Sequence, residues 1–514
     1  MNIKKLSSLL FQRSVIVAVL IILQAAVLLV PMIWAWSYYV YVYWACVVLS
    51  LLAVLVIVRR QTDPGYKIAW IIPILLFPMF GWLVYLLCGG NKLSARMRRK
   101  MQGMDRTMLE QLEGDYKAQK LAVLGRDAVN QARYLERYAR CPVYINTWTR
   151  YFPLGDDAFP AMLEELKKAK HYIFLEYFIL APGVFWDSIV EILKEKHAAG
   201  VDVRVIYDDV GSLGTLPANY AETFERETGI PCCFFNRFKP VISIRMNNRD
   251  HRKLCIIDGH TAFTGGINLA DEYINQKSRF GHWKDSAILV KGEAAWSMTV
   301  MFLTMWEYIR EVKADYAALR PTSLPPEAVL GRDCFVQPYA DNPLDNEPVG
   351  ETVYLNLISK AKRYVYIMTP YLIVSDSVNT ALCNAAKSGV DVRIITPHIP
   401  DKKLVFELTR SHYQPLLEAG VQIFEYTPGF VHAKNLVSDD VCGVVGTINM
   451  DYRSMFLHFE DAVLLYQDPT VLDIKADFLA TQLASQKITL EQCLERSWPR
   501  RLFRSILRVL APLV

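Results

Sequence analysis

Two stretches of this sequence carry the same polar residues at the same spacing. HRKLCIIDGHTAFTGGIN at 251–268 and HAKNLVSDDVCGVVGTIN at 432–449 both fit H-x-K-x4-D-x6-G-x2-N. One such stretch would mean little, because a lone histidine is usually a solvated or structural group. Two copies can meet across a pseudo-two-fold axis and bring two histidines, two lysines and two asparagines into one cleft. That set suits chemistry at a phosphodiester. Lysines and amides neutralise and orient its non-bridging oxygens. One neutral imidazole can attack phosphorus while the other protonates the departing alkoxide and later deprotonates the incoming hydroxyl.

The catalytic set is therefore His251, Lys253, Asp258, His432, Lys434 and Asp439, with Asn268 and Asn449 as substrate-binding amides. Asp258 and Asp439 complete the motif but fall at turns, so they are expected to hold a hairpin rather than touch substrate. Each histidine also needs a carboxylate to orient it. Asp285 in GHWKDSAILV and Glu460 in FLHFEDAVLL follow the two motifs on comparable strands and are the candidates. The chemistry needs no metal, and no metal-ligand spacing or acidic cluster stands out, so no cofactor is expected.

The elements that must position these residues repeat as well. AGVDVRVIY at 199–207 and SGVDVRIIT at 388–396 each read as the end of a helix, a capping glycine and a β-branched strand, which is the joint of an α/β unit. Downstream of each, the His and Lys lie two apart on a strand and should project to one face. The strand turns at Asp258–Gly259 or Ser438–Asp439–Asp440 and returns through Gly265 or Gly446, where a bare backbone can approach closely. The soluble region reads as a duplicated α/β domain with the active site between its halves.

With its two H-x-K-x4-D copies, the chain resembles the phospholipase D superfamily, and its bacterial cardiolipin synthases in particular. RMNNRDHRKLCIIDGHTAFTGGINLADEYI and FEYTPGFVHAKNLVSDDVCGVVGTINMDYRSMFLHFE look like the family motifs with their flanks, and LEYFIL, QPYADNPLD, MTPYL and LVYLLCGG are similar too. The resemblance implies a duplicated phospholipase D-like α/β/α domain that joins two phosphatidylglycerol molecules into cardiolipin and releases glycerol through a phosphohistidine. It implies His251 and His432 as nucleophile and acid/base, with His251 favoured as nucleophile, Lys253 and Lys434 as phosphate clamps, and Glu176, Tyr177, Thr369 and Tyr371 as pocket residues. Thr447 stands where many relatives have Ser, and His458 where many have Asn; His458 is either a local variant beside the site or a packed core histidine.

Hydrophobic residues make up 52% of the 514, and most of the excess precedes residue 90. Runs 14–36 and 38–58 are each long enough to span a bilayer as a helix. A third run, 68–88, is broken by Pro73 and Pro78. Lys4, Lys5, Arg13, Arg59, Arg60 and Lys67, together with the basic stretch after residue 91, favour two full spans, a re-entrant or interfacial third segment and a cytoplasmic catalytic domain. The layout is a membrane anchor (1–100), a helical linker (101–140), a first half (141–330), a second half (331–495) and a basic amphipathic tail (496–514). In the tail Leu502, Phe503, Ile506, Leu507 and Leu510 oppose Arg500, Arg501, Arg504 and Arg508, which suits an anionic lipid surface or a helix packed on the protein. Ten scattered cysteines fit a reduced compartment. The net charge of +5 is gathered beside the apolar segments, which suits a bilayer and an anionic phospholipid rather than a nucleic acid. The sequence leaves the oligomeric state open. Rival readings are a multi-pass membrane phospholipase D, a phosphatidyltransferase with another acceptor, and a non-catalytic scaffold.

Overall fold

The computed structural model describes residues 36–60, 62–78, 81–88, 95–113, 117–237, 247–329, 334–345, 347–495 and 498–513. The chain divides into two compact units, one gathering 1–92, 238–248 and 505–514, the other 93–237 and 249–504.

In the first unit, the helix Trp36–Arg59 is the single described helix long and apolar enough to cross a membrane. It contains the second apolar run; the first run lies almost wholly outside the described residues. The third run forms two short helices, Pro64–Leu76 and Gly81–Cys88, neither long enough to span alone. They fold back on each other. Trp70 meets Tyr85 edge-on at 5.3 Å, and a Cβ on Gly81 would lie 2.5 Å from the Cα of Ile74, so only glycine permits that approach. Asp63 starts the first of these helices by accepting a hydrogen bond from the Tyr66 amide (3.1 Å).

The second unit is built on two sheets of matching order. The first runs 147–152, 287–292, 261–265, 253–257, 172–177, 202–208, 232–235, and the second 335–341, 458–466, 442–446, 435–438, 364–368, 391–397, 422–426, 485–488. In each, the last two of a parallel trio (172–177, 202–208, 232–235; 364–368, 391–397, 422–426) are reached through helical crossovers, and the motif hairpin adds to the trio antiparallel. This places both motif strands in the middle of buried sheets. The repeated GVDVR segments are the second strands of the two trios, and Gly200 (φ +90°) and Gly389 (φ +93°) end the preceding helices in a conformation other residues rarely adopt. Helix Ala294–Arg310 is buried from Ala294 to Trp306 and belongs to a core that draws on both sheets. Residues of the linker pack there too: Leu112, Leu121 and Leu135 are fully buried, and Gln337 donates to the carbonyls of Ala132 (3.1 Å) and Cys141 (2.9 Å).

Candidate active site

The motif histidines do not lie on regular strands, as the sequence suggests. His251 sits between the two-residue strand Arg249–Asp250 and the strand Lys253–Ile257, and residues 432–434 connect Gly429–Val431 to Asn435–Ser438. The reason is that each histidine leaves its own sheet to meet the other half. Arg249 and Asp250 pair in parallel with His458 and Phe459, and the amide of His251 donates to the Phe459 carbonyl at 2.9 Å. Gly429–Val431 pairs in parallel with His282–Lys284, and the amide of His432 donates to the Lys284 carbonyl at 2.7 Å.

This exchange decides which carboxylate serves which histidine. His251 Nδ1 lies 2.9 Å from both carboxylate oxygens of Glu460, and His432 Nδ1 lies 2.6 Å from Asp285 Oδ2. Both sequence candidates thus lie within hydrogen-bond distance of a motif histidine, each of the opposite half. A carboxylate accepting the Nδ1 hydrogen leaves the Nε2 lone pair free. Glu460 also accepts from the Thr447 hydroxyl, so the threonine keeps its group in use at the site.

Burial holds His251 at about 3 against the pull of Glu460, and burial with the nearby Lys434 charge holds His432 at about 4, so both imidazoles are neutral at pH 7. Burial pushes the Glu460 and Asp285 carboxyls upward, but the interaction with the facing histidine, joined at Asp285 by the Lys434 charge, outweighs it, and both lie below the usual carboxylate range. Burial lowers Lys253 to about 8 and Lys434 to about 7. Each lysine donates to the carbonyl of its own motif histidine (2.5 Å for Lys253 Nζ to His251). An ammonium has three donors, so each keeps hydrogens for an anion.

The other motif residues divide. Asp258, at φ +52°, accepts from the amides of Lys170 (2.8 Å), His171 (2.7 Å) and Tyr172 (2.8 Å). Asp439, at φ +58°, does the same for Lys362 (2.7 Å), Arg363 (2.8 Å) and Tyr364 (2.9 Å). These carboxylates knot the hairpin to the start of the first parallel strand, which corrects their place in the catalytic set and agrees with their position at turns. Replacing Asp258 by alanine leaves three amides without that acceptor. It is expected to lower stability by about 1–3 kcal/mol in a melting experiment, with the activity of the remaining folded enzyme nearly kept.

Asn268 spends its amide on the protein, accepting from Ile179 N (3.0 Å) and donating to the Tyr273 hydroxyl (2.7 Å). The Tyr273 ring stands edge-on to His432 at 5.5 Å. Asn449 is buried and its side-chain oxygen has no partner among the described residues. Tyr177 is packed in the first half's core, and Glu176 is fully buried 2.5 Å from Arg252. Tyr371 donates to Asp401 at 2.6 Å, and the Thr369 hydroxyl takes the Met450 amide (3.2 Å).

A buried ionic cluster beside His251 escapes the sequence reading. Arg249 pairs with Asp208 at 2.9 Å, and Arg252 with Glu176 and with Asp250 (3.2 Å), all at most 3% exposed. Asp461 joins them, accepting from the Thr264 hydroxyl at 2.5 Å, with burial raising its carboxyl to about 7. The signal was the RDHRK run, four charges around a histidine directly ahead of the apolar LCII.

The comparisons with known proteins agree with this architecture. The family described as "Cardiolipin synthase, PLD-like domain" matches residues 162–306 and 354–481, one segment in each half. A second, "Phospholipase_D-nuclease N-terminal", matches 48–90. The chain belongs to the cardiolipin synthase, phospholipase D-like family. Among relatives of this family, a cardiolipin synthase 2 of Bacillus anthracis is 35% identical over 89% of each chain. A cardiolipin synthase of Halalkalibacterium halodurans is 33% identical over 90% of this chain and 91% of its own. An uncharacterized Streptococcus mutans protein is 42% identical over 90% of this chain and 99% of its own. Among solved structures, a phosphatidylserine synthase of Haemophilus influenzae shares the fold, with TM-score 0.58 and 14% identity over 74% of this chain and 99% of its own. The duplicated domain is thus that of a phospholipase D-like enzyme.

Proposed function

We propose that the chain is a cardiolipin synthase, a phosphatidyltransferase that moves a phosphatidyl group from one phosphatidylglycerol to another and releases glycerol. The observation that carries this reading is the crossed pair of histidines, each buried, neutral and oriented by a carboxylate of the opposite half. His251, with its Nδ1 hydrogen held by Glu460, attacks phosphorus through Nε2. The bond from phosphorus to the glycerol oxygen breaks, and His432 gives that oxygen its proton. The terminal hydroxyl of a second phosphatidylglycerol then loses its proton to His432 and attacks phosphorus, which frees His251 and forms cardiolipin. His432 must enter the first step protonated. The bound phosphodiester supplies the negative charge that raises its proton affinity, with Lys253 and Lys434 neutralising the non-bridging oxygens as charge develops.

The membrane segments explain why transfer competes with hydrolysis. A phosphohistidine is consumed by whichever hydroxyl reaches it first, and a cleft held at the bilayer meets lipid hydroxyls at high local concentration. In this reading the chain is multi-pass in the cell membrane. The folded-back pair 64–76 and 81–88 is the re-entrant segment, and the catalytic domain faces the cytoplasm. The halves divide near residue 330, with 101–140 packed as part of the catalytic body.

The tail helix Trp498–Leu510 supports the lipid surface. Arg500 and Arg504 turn to Glu407, Arg504 at 2.8 Å, and hold its carboxyl near 2 against burial. Trp498 (73%), Leu502 (51%) and Phe503 (44%) are left exposed. An amphipathic helix with two of its arginines held by the protein and its aromatic side bare suits an interface. Leu502→Glu with Phe503→Glu is expected to lower the rate on anionic vesicles several-fold and leave the rate on short-chain, monomeric phosphatidylglycerol unchanged.

The reading is tested with purified enzyme in vesicles of labelled phosphatidylglycerol. Cardiolipin and free glycerol in equal amounts are expected. Phosphatidic acid alone would make the enzyme a hydrolase, and neither product would return the reading to other acceptors.

A further inference from the structure

His458 is 8% exposed, and neither ring nitrogen makes a well-formed hydrogen bond among the described residues. Its Nδ1 lies 3.5 Å from Glu460 Oε1, and its ring centre lies 5.4 Å from that of His251. Buried polar atoms without partners are uncommon and call for an explanation. The pseudo-symmetric place beside His432 holds Trp283, again 5.4 Å from the motif histidine. An indole cannot bind a metal ion, so the two sides of the cleft differ here in one property: His251 has a second imidazole and a shared carboxylate beside it.

One donor atom each from His251, His458 and Glu460 lies within 4.8 Å of the other two. In a tetrahedral Zn2+ site the metal–ligand distances of about 2.0–2.2 Å put donor atoms roughly 3.3–3.5 Å apart. The separation of His458 from Glu460 already fits, and closing the remainder takes side-chain shifts of roughly an ångström or less. Two imidazoles and a carboxylate form a borderline donor set that suits Zn2+ and disfavours Mg2+, which prefers oxygen ligands.

We propose that His251, His458 and Glu460 form an inhibitory binding site for Zn2+ or a similar transition-metal dication. The ion takes a nitrogen of His251 and the carboxylate that orients it, so the histidine can no longer attack phosphorus. The binding claim rests on geometry alone, and the inhibition claim rests on the reading of His251 as nucleophile.

The test uses full-length enzyme in detergent, with Zn2+ binding followed by competition with a chelating indicator. Initial transfer rates are measured against free Zn2+, each enzyme scaled to its own metal-free rate. Wild type should bind one Zn2+ with His458-dependent affinity and lose activity in parallel, EDTA restoring it; Mg2+ at the same concentration should not inhibit. His458→Asn and His458→Gln should each weaken binding and inhibition at least tenfold. Equal binding and inhibition in the wild type and both variants would overturn the site and place the metal elsewhere on the protein, and inhibition without stoichiometric binding would overturn it in favour of lipid headgroups. Stoichiometric, His458-dependent binding without inhibition would overturn the inhibitory role. The separate reading of His251 as nucleophile fails if His251→Ala still makes cardiolipin.

Discussion

Alanine in place of either His251 or His432 is expected to lower cardiolipin formation by about 10²–10⁴-fold or more, and the double variant to be scarcely worse than either single one. The two imidazoles act on one phosphorus, one forming the covalent bond and the other moving the proton, so losing either stops the same cycle. His251→Ala also leaves Glu460 buried with one partner fewer, and His432→Ala does the same to Asp285. Some loss of stability is therefore expected as well. His251→Asn and His432→Asn, which retain a polar group beside the carboxylate, separate the two effects: they should recover stability and leave the rate low. Rates on labelled phosphatidylglycerol and a melting curve for each variant check this. A single variant with near-normal turnover would remove that histidine from the mechanism.

The second large effect follows from the exchange of carboxylates between the halves. Glu460→Gln should behave like damage to His251, and Asp285→Asn like damage to His432, each lowering turnover by about 10²–10⁴-fold through loss of the fixed tautomer. Their kinetics should differ. With Glu460→Gln the covalent intermediate forms slowly and never accumulates. With Asp285→Asn and a p-nitrophenyl phosphatidyl ester as donor, whose leaving group needs no proton, its breakdown slows, because the base that activates the second hydroxyl is misdirected, and the intermediate builds up. Rapid-quench experiments with that labelled ester separate the two. The reverse pattern, with accumulation in Glu460→Gln, would mean that each carboxylate serves the histidine of its own half.

Much of this site is legible in the sequence, because the duplication supplies its own control. The same spacing in two places marks His251, Lys253, His432 and Lys434, and the glycines before the two GVDVR strands end helices where the pattern requires. Asp258 and Asp439 read as turn residues because a carboxylate at a hairpin tip has backbone amides within reach, and three such bonds form in each copy. Glu460 and Asp285 are recognisable as a pair. Their crossing is not, since spacing along a chain says nothing about which half a strand edge will join. The same exchange pulls His251 and His432 off regular strand geometry.

The ionic cluster of Arg249, Asp208, Arg252 and Glu176 was hidden for a different reason. Charged residues are seldom fully buried, and only the fold brings Asp208 from one strand and Glu176 from another against the flank of the motif. For His458, local sequence leaves two readings open. The structure places it against His251 and Glu460, on the edge of the chemistry.

The most direct test of the central claim is a mass measurement. His432→Ala, mixed with a phosphatidyl ester of p-nitrophenol, whose departure needs no proton from His432, and quenched, should carry a phosphatidyl group on His251, because the nucleophile survives and the base that would release it is gone. His251→Ala should carry none. An adduct on His432 in the His251→Ala protein, or on any residue outside this pair, would contradict the account.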